Sequence, residues 1–141
     1  MKHLHTFTQH INENQVREID SSKYWKIRNS HDRRNDTATP IRFTPEETEK
    51  LYDLYEVLDP NKNGSCYKKR NGRFDIRLYA QEDKPFPIIT ITKYSESEWL
   101  ICVESEDSKY NYHETESLQS VVIYLTANYG PLMGIDLIKI K

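Results

Sequence analysis

Residues 71–79 read Asn71-Gly72-Arg73-Phe74-Asp75-Ile76-Arg77-Leu78-Tyr79. Asn-Gly is the pair best able to take the positive φ angles of a two-residue hairpin turn. The residues after it alternate, with Phe74, Ile76 and Leu78 to one side and Asp75, Arg77 and Tyr79 to the other. This stretch therefore predicts a hairpin whose second strand buries one face. Further strands follow at short intervals: Ile88 to Lys93, then Trp99 to Val103 with Trp99, Ile101 and Val103 on one face, then Tyr110 to His113. Connections this short favour an antiparallel meander.

Upstream, Thr44-Pro45-Glu46-Glu47 combines a Thr cap, a Pro at the first helical position and a Glu three residues after the cap, which is a capping box. Leu51, Leu54, Tyr55 and Leu58 then recur at helical spacing until Asp59-Pro60. Downstream, a second helix is expected after Thr115, with Leu118, Val121, Val122 and Leu125 in one stripe and Gly130-Pro131 as terminator. Tyr24-Trp25-Lys26-Ile27 reads as a strand, residues 28–40 as a polar loop, and Ile138 and Ile140 as part of a last, lysine-flanked edge strand. The expected fold is α+β: a two-layer sandwich in which an antiparallel meander of about five to six strands packs against two helices. Residues 1–22 are expected to form a mobile amphipathic segment and residues 23–141 a single domain.

With 141 residues, one core is the economical solution. Charged content of 30% is high, but ten Tyr, four Phe and two Trp are too many aromatics for a disordered chain. The longest apolar run is Val121 to Leu125, far short of the ~18 residues of a membrane span. The opening residues lack a secretory signal, so a cytosolic protein with Cys66 and Cys102 as free thiols is expected. Net charge is −2, divided between residues 1–80, with 15 Lys/Arg against 12 Asp/Glu, and residues 81–141, with 5 against 10.

His3, His5 and His10 lie close in sequence. Zinc needs three or four convergent ligands on an ordered frame, so they read as solvated residues, and no metal or other cofactor is expected. Cys66 and Cys102 carry no local nucleophile signature, and the pairs Glu96/Glu98 and Glu104/Glu106 read as a solvated rim, so no catalytic residues are assigned. The sharpest charge feature is the hairpin tip, where Lys68, Lys69, Arg70 and Arg73 surround the turn beside Tyr67. These residues are candidates for contact with an anion or nucleic acid, although a basic tip also serves solubility. Glu114 and Glu116 read as acids at the N-terminus of the second helix.

The opening Met1-Lys2-His3-Leu4-His5-Thr6-Phe7-Thr8-Gln9-His10-Ile11-Asn12-Glu13 resembles the start of small uncharacterised proteins of tailed phages, particularly those infecting Bacteroidetes. Tyr24 to Ile27, Phe43 to Glu47, and Ile89 to Val103 with Lys93, Glu98 and Trp99 continue the likeness. Tyr112-His113-Glu114-Thr115 departs from it where those proteins often show a Cys-Asp pair. The resemblance implies an origin and transfers no residue roles. The element order is also similar to the frataxin fold, but Glu46, Glu47, Glu49, Asp53 and Glu56 fit a solvated helix and not an iron-binding ridge.

The resulting expectation is a non-enzymatic phage accessory or virion-associated protein, in the host cytoplasm or the particle, that binds a phage structural or host protein. The alternative is a modulator of a host nucleic-acid-acting enzyme, or a weak nucleic-acid binder through the basic hairpin. Leu4, Phe7 and Ile11 form a short apolar stripe suited to a partner's groove. Deleting residues 1–14 is thus expected to leave the melting temperature unchanged and abolish partner or particle association. An insoluble product, or one melting many degrees lower, would assign these residues to the core.

Overall fold

The computed structural model describes residues 16–35, 41–69, 72–79 and 83–130, with backbone alone over 31–35. Its elements are β1 (Val16–Ile19), α1 (Ser21–Asn35), α2 (Pro45–Leu58), β2 (Ser65–Lys69), β3 (Arg73–Arg77), β4 (Ile88–Ser95), β5 (Glu98–Glu104), β6 (Tyr110–Thr115) and α3 (Leu118–Tyr129). The six strands form one antiparallel sheet in the order β1-β6-β5-β4-β3-β2. Strands β2 to β6 are the expected meander, and β1 adds to its far edge through pairs such as Val16 with Thr115 and Ile19 with Tyr112. The fold is an α+β sandwich.

One face of the sheet carries Phe74, Ile76, Ile89, Ile91, Trp99, Ile101 and Val103, and these pack against Leu51, Leu54, Tyr55 and Leu58 of α2 and Leu118, Val121 and Leu125 of α3. The cross-strand register places Phe74, Ile91 and Ile101 in one line and Ile76, Ile89 and Val103 in the next. The period of two along the strands and of three to four along the helices thus meet in a single core.

The helix α2 starts where its capping box predicts. The Glu47 N–H donates to Thr44 Oγ1 (3.1 Å) and the Thr44 N–H donates to Glu47 Oε1 (2.8 Å). The same Oε1 accepts the ammonium of Lys93 at 2.8 Å, a β4 residue that is only 5% exposed. Lys93 pairs across the strands with Trp99, lies 5.9 Å from its ring, and Phe43 stacks on that ring from the approach to α2. Helix start and sheet are therefore locked at one junction.

Several expectations change. Tyr24 to Ile27 is helical and not a strand, and residues 28–35 continue that helix where a loop was expected. Asp20 initiates it, its Oδ1 accepting the Lys23 N–H at 2.7 Å and its carbonyl the Tyr24 N–H at 3.1 Å. Among its described side chains Tyr24 and Ile27 are the core contributors, so α1 lacks the long apolar stripe that reveals a helix in sequence. It packs on the reverse face of the sheet, where Tyr24, Tyr94 and Leu100 form a second cluster with Ile19, Ile27, Cys102 and Tyr112. Within residues 16–22, β1 pairs with β6 and α1 begins at Ser21. Thr115 ends β6, and the cap of α3 is Ser117, whose hydroxyl accepts the Ser120 N–H at 3.1 Å.

The hairpin turn is longer than expected. Lys69 pairs with Arg73, leaving three residues between the strands where a two-residue turn would leave two. Gly72 takes φ +65°, and a Cβ there would meet the backbone oxygens of Lys93 and Ile41 at 3.0 and 3.1 Å. Such a left-handed third residue is the usual solution for a three-residue hairpin loop. The apolar stripe Leu4, Phe7 and Ile11 and the edge strand at Ile138 and Ile140 lie outside the described residues.

Leu125 is fully buried, while Ile123 on the same helix is 46% exposed. Leu125→Ala should lower the unfolding free energy by ~2–5 kcal/mol in urea denaturation. Ile123→Ala should change it by no more than about 0.5 kcal/mol.

Candidate functional site

Helix α1 packs in one cluster with residues of β1, β6, β5 and the Tyr94 end of β4, and among the described residues no such cluster covers β2 or β3 on this reverse face. Register orders that face into rows. One runs Lys69, Arg73, Thr92, Leu100, Glu114 and Arg17, and the next runs Tyr67, Asp75, Thr90, Cys102, Tyr112 and Ile19. A third holds Ser65, Arg77, Ile88, Glu104 and Tyr110.

The hairpin candidates separate on this frame. Tyr67, Lys69 and Arg73 lie in the reverse-face rows, whereas Lys68 pairs with Phe74 and so belongs to the opposite side. Arg70 lies outside the described residues. Lys69 is not a free cation, because it bonds Asp75 Oδ2 at 2.9 Å. What the sequence did not reveal is who joins them. Arg77 sits over the Tyr67 ring at 5.8 Å, Tyr110 stacks on Tyr112 with centroids 6.1 Å apart, and Arg28 of α1 lies over Trp25 at 5.0 Å.

Five large hydrophobic side chains are exposed among the described residues. Three of them, Trp25 (46%), Tyr67 (49%) and Tyr110 (47%), belong to this side, while Tyr52 and Ile123 lie on the helices opposite. Arg28, Arg73 and Arg77 form no ion pair among the described residues. The carboxylates nearby are Asp75 and Glu104, and the latter accepts the Tyr110 hydroxyl at 3.1 Å. At the border, burial, aided by Cys102, pushes the Tyr24 hydroxyl up to about 12, against the opposing pull of Arg28 and Arg73.

Glu114 does not serve α3, as the sequence suggested. It is a β6 residue bonded to Arg17 at 3.2 Å and Lys23 at 2.9 Å, and it fastens β1 and α1 to the sheet. The cysteines are poorly placed for nucleophilic work. Burial and then Glu104 push the Cys102 thiol up to about 11, and burial and Asp59 raise Cys66. At neutral pH both are held in the weakly nucleophilic thiol form.

Asp59-Pro60-Asn61-Lys62-Asn63-Gly64 has the D-x-N-x-N-G spacing that opens a calcium loop, a feature the sequence reading passed over. Here the Asp59 carboxylate accepts the Tyr55 hydroxyl (2.6 Å) and the N–H groups of Asn63 (3.0 Å) and Gly64 (2.8 Å). Position twelve, where such loops supply a bidentate acid, is Arg70. Asp59 therefore closes the end of α2, beside a depression of about 330 Å³ bordered by Leu78, Pro87 and Tyr129. Among the described residues no group of three or more His, Cys, Asp or Glu side chains is arranged to hold a metal. His3, His5 and His10 lie outside them. No described helix is long and apolar enough to cross a membrane.

Comparison with family models, curated proteins and solved structures returns no match for the chain. The site must be interpreted from its own chemistry.

The buried groups set an acid limit. His113 is 8% exposed, its Nε2 lies 3.0 Å from the Tyr124 hydroxyl, and burial holds its pKa below 6.5 despite Glu18. The unfolded chain therefore takes up this proton before the folded one, and stability should begin to fall as pH drops below about 6.5. Burial raises Glu47 and Asp59, but bonds from Lys93 and Thr44, and from Tyr55, Gly64 and Asn63, hold both below their ordinary range. Their contributions are present above the unfolded carboxylate pKa and are lost as pH falls through the folded values. Urea midpoints measured from pH 8 to pH 3 should show two declines, and His113→Phe should remove the first.

Proposed function

We propose that this chain is a non-enzymatic binding domain that docks the reverse face of its sheet, the face that carries α1, onto another protein. The observation that carries the proposal is the gathering on that one side of exposed aromatic rings, Tyr67, Tyr110 and bordering Trp25, with Arg28, Arg73 and Arg77, which form no ion pair among the described residues. Tyr, Trp and Arg dominate the energetics of protein interfaces, because each combines a large contact area with directed polar groups. The arginines favour an acidic patch on the partner. The raised thiol pKa values of Cys66 and Cys102 agree with a role without nucleophilic chemistry.

The proposal extends to source and setting through the N-terminal resemblance: an accessory or virion-associated protein of a tailed phage, meeting a phage structural or host protein in the host cytoplasm or in the particle. A second reading, a single nucleic-acid strand, draws support from Arg77 above Tyr67, since bases stack on such rings while guanidiniums meet phosphates. Asp75 and Glu104 on the same face oppose a continuous polyanion.

Capture of partners from infected cells, with the eluted proteins identified, tests the proposal. Tyr67→Ala/Tyr110→Ala and Arg77→Glu should keep the wild-type melting temperature and lose the protein that wild type retains. A salt-sensitive anisotropy change with a labelled single-stranded oligonucleotide would move the assignment to the second reading. Turnover of a substrate that a point mutation abolishes would overturn the non-enzymatic proposal.

A further inference from the structure

We propose that the depression between the ends of α2, β3 and α3 is a seat for one guanidinium, carried on an arginine side chain of a protein partner. The inference is independent of the docking reading of the reverse face, because it rests on groups at two helix ends and beyond the end of β3.

Two helices end at this depression. Leu58 is the last residue of α2 and Tyr129 the last of α3, and both line it. A helix C-terminus is the negative end of the helix dipole and leaves carbonyl groups without intrahelical donors. A cation in the last turn commonly answers that field, but neither helix has a basic residue there.

Asp59 adds a full charge to these partial ones. It lines the same depression, is only 7% exposed and forms no ion pair among the described residues. Burial opposes its ionisation, but bonds from Tyr55, Gly64 and Asn63 hold its carboxyl below the ordinary range, so it is charged at neutral pH. Those three donors are neutral. They satisfy its hydrogen bonds and leave its charge without a counter-ion, a costly state for a buried carboxylate. No Lys, Arg or His lines the depression among the described residues, and the exposed Lys62 of the same loop forms no ion pair with Asp59. The missing cation has to arrive from outside this set.

The walls select the kind of cation. Leu58, Leu78 and Pro87 offer apolar surface, and Tyr79 and Tyr129 offer aromatic rings. A hard metal ion needs six or more oxygen ligands, and the one carboxylate present already accepts three hydrogen bonds. A guanidinium is planar and more weakly hydrated than an ammonium; its faces stack on aromatic rings while its edge donates to carboxylate and carbonyl oxygens. At about 330 Å³ the space suits a single side chain. The field that attracts the guanidinium repels the carboxylate of free arginine, so an arginine within a polypeptide fits better.

The test is an NMR titration of the whole chain with the capped tripeptide acetyl-Gly-Arg-Gly-amide, with its lysine and citrulline counterparts, and with free arginine. Sodium chloride at equal ionic strength serves as the control. Saturable shifts should centre on the amides of Asn61, Asn63, Tyr79 and Tyr129. The arginine peptide should bind, the lysine peptide should bind more weakly, and the neutral citrulline peptide should be silent. Asp59→Asn and Asn61→Lys should each weaken binding by about tenfold or more. Asp59 also closes α2, so if Asp59→Asn fails to fold, Asn61→Lys decides, because Asn61 is exposed and lines the depression. Tyr67→Ala/Tyr110→Ala should leave binding unchanged. Shifts that sodium chloride or the citrulline peptide reproduces, or that survive in Asn61→Lys, overturn the proposal. Calcium chloride that shifts the same amides saturably and displaces the arginine peptide makes the depression a metal site and overturns the guanidinium. Tighter binding of free arginine than of the capped peptide overturns the assignment to a protein. If the peptide binds Lys139→Gln/Lys141→Gln and not the wild type, the cation belongs to this chain and the external partner is overturned.

Discussion

A single carboxylate oxygen, Glu47 Oε1, closes the capping box of α2 and holds the buried ammonium of Lys93. A buried charge without a partner is strongly destabilising, so this contact constrains where α2 can begin relative to β4. Other constraints converge there. Trp99 lies beside Lys93, Phe43 stacks on Trp99, and the Gly72 carbonyl accepts the Lys93 N–H at 2.8 Å. Helix, hairpin and Trp-bearing strand are thereby indexed to one another, and the apolar core fills the space that this junction defines.

The asymmetry of the sheet follows. On one face two helices bury a continuous set of Ile, Val, Phe and Trp side chains. On the other, the described side chains of α1 contribute Tyr24 and Ile27, which reach as far as Tyr94 of β4, and among the described residues no helix cluster covers β2 or β3. This side of β2, β3 and β4 carries Lys69, Arg73, Asp75, Arg77 and Thr90, which tolerate contact with water or a polar partner, and Thr92, which is buried.

The strands, the capped helix α2 and the terminal helix α3 were legible because their patterns are local: alternation after Asn71-Gly72, a capping box before Leu51, and a stripe through Leu118 and Leu125. Helix α1 was not, because its contact with the sheet is two residues long and Tyr24-Trp25-Lys26-Ile27 imitates a short strand. The turn length escaped because Asn-Gly also occurs at the end of three-residue loops, where only register distinguishes the cases. The site was half legible. Tyr67, Lys69 and Arg73 were flagged by local charge, but their meeting with Arg28, Arg77 and Tyr110 depends on strand order and on which face each residue takes, and no short window of sequence contains that information.

The half-covered sheet also bears on how such a chain can change over generations. Residues of the uncovered rows outside the buried Thr92 and Asp75 contacts contribute little to the core, so exchanges at Tyr67, Arg77 or Tyr110 alter the surface with small effects on folding. Natural chains hold only a narrow reserve of stability, and a surface decoupled from that reserve can drift freely. The fold can thus remain constant while the recognising face follows the changes of whatever it meets, and relatives that keep the junction of Glu47 and Lys93 can differ widely along β2, β3 and the start of β6.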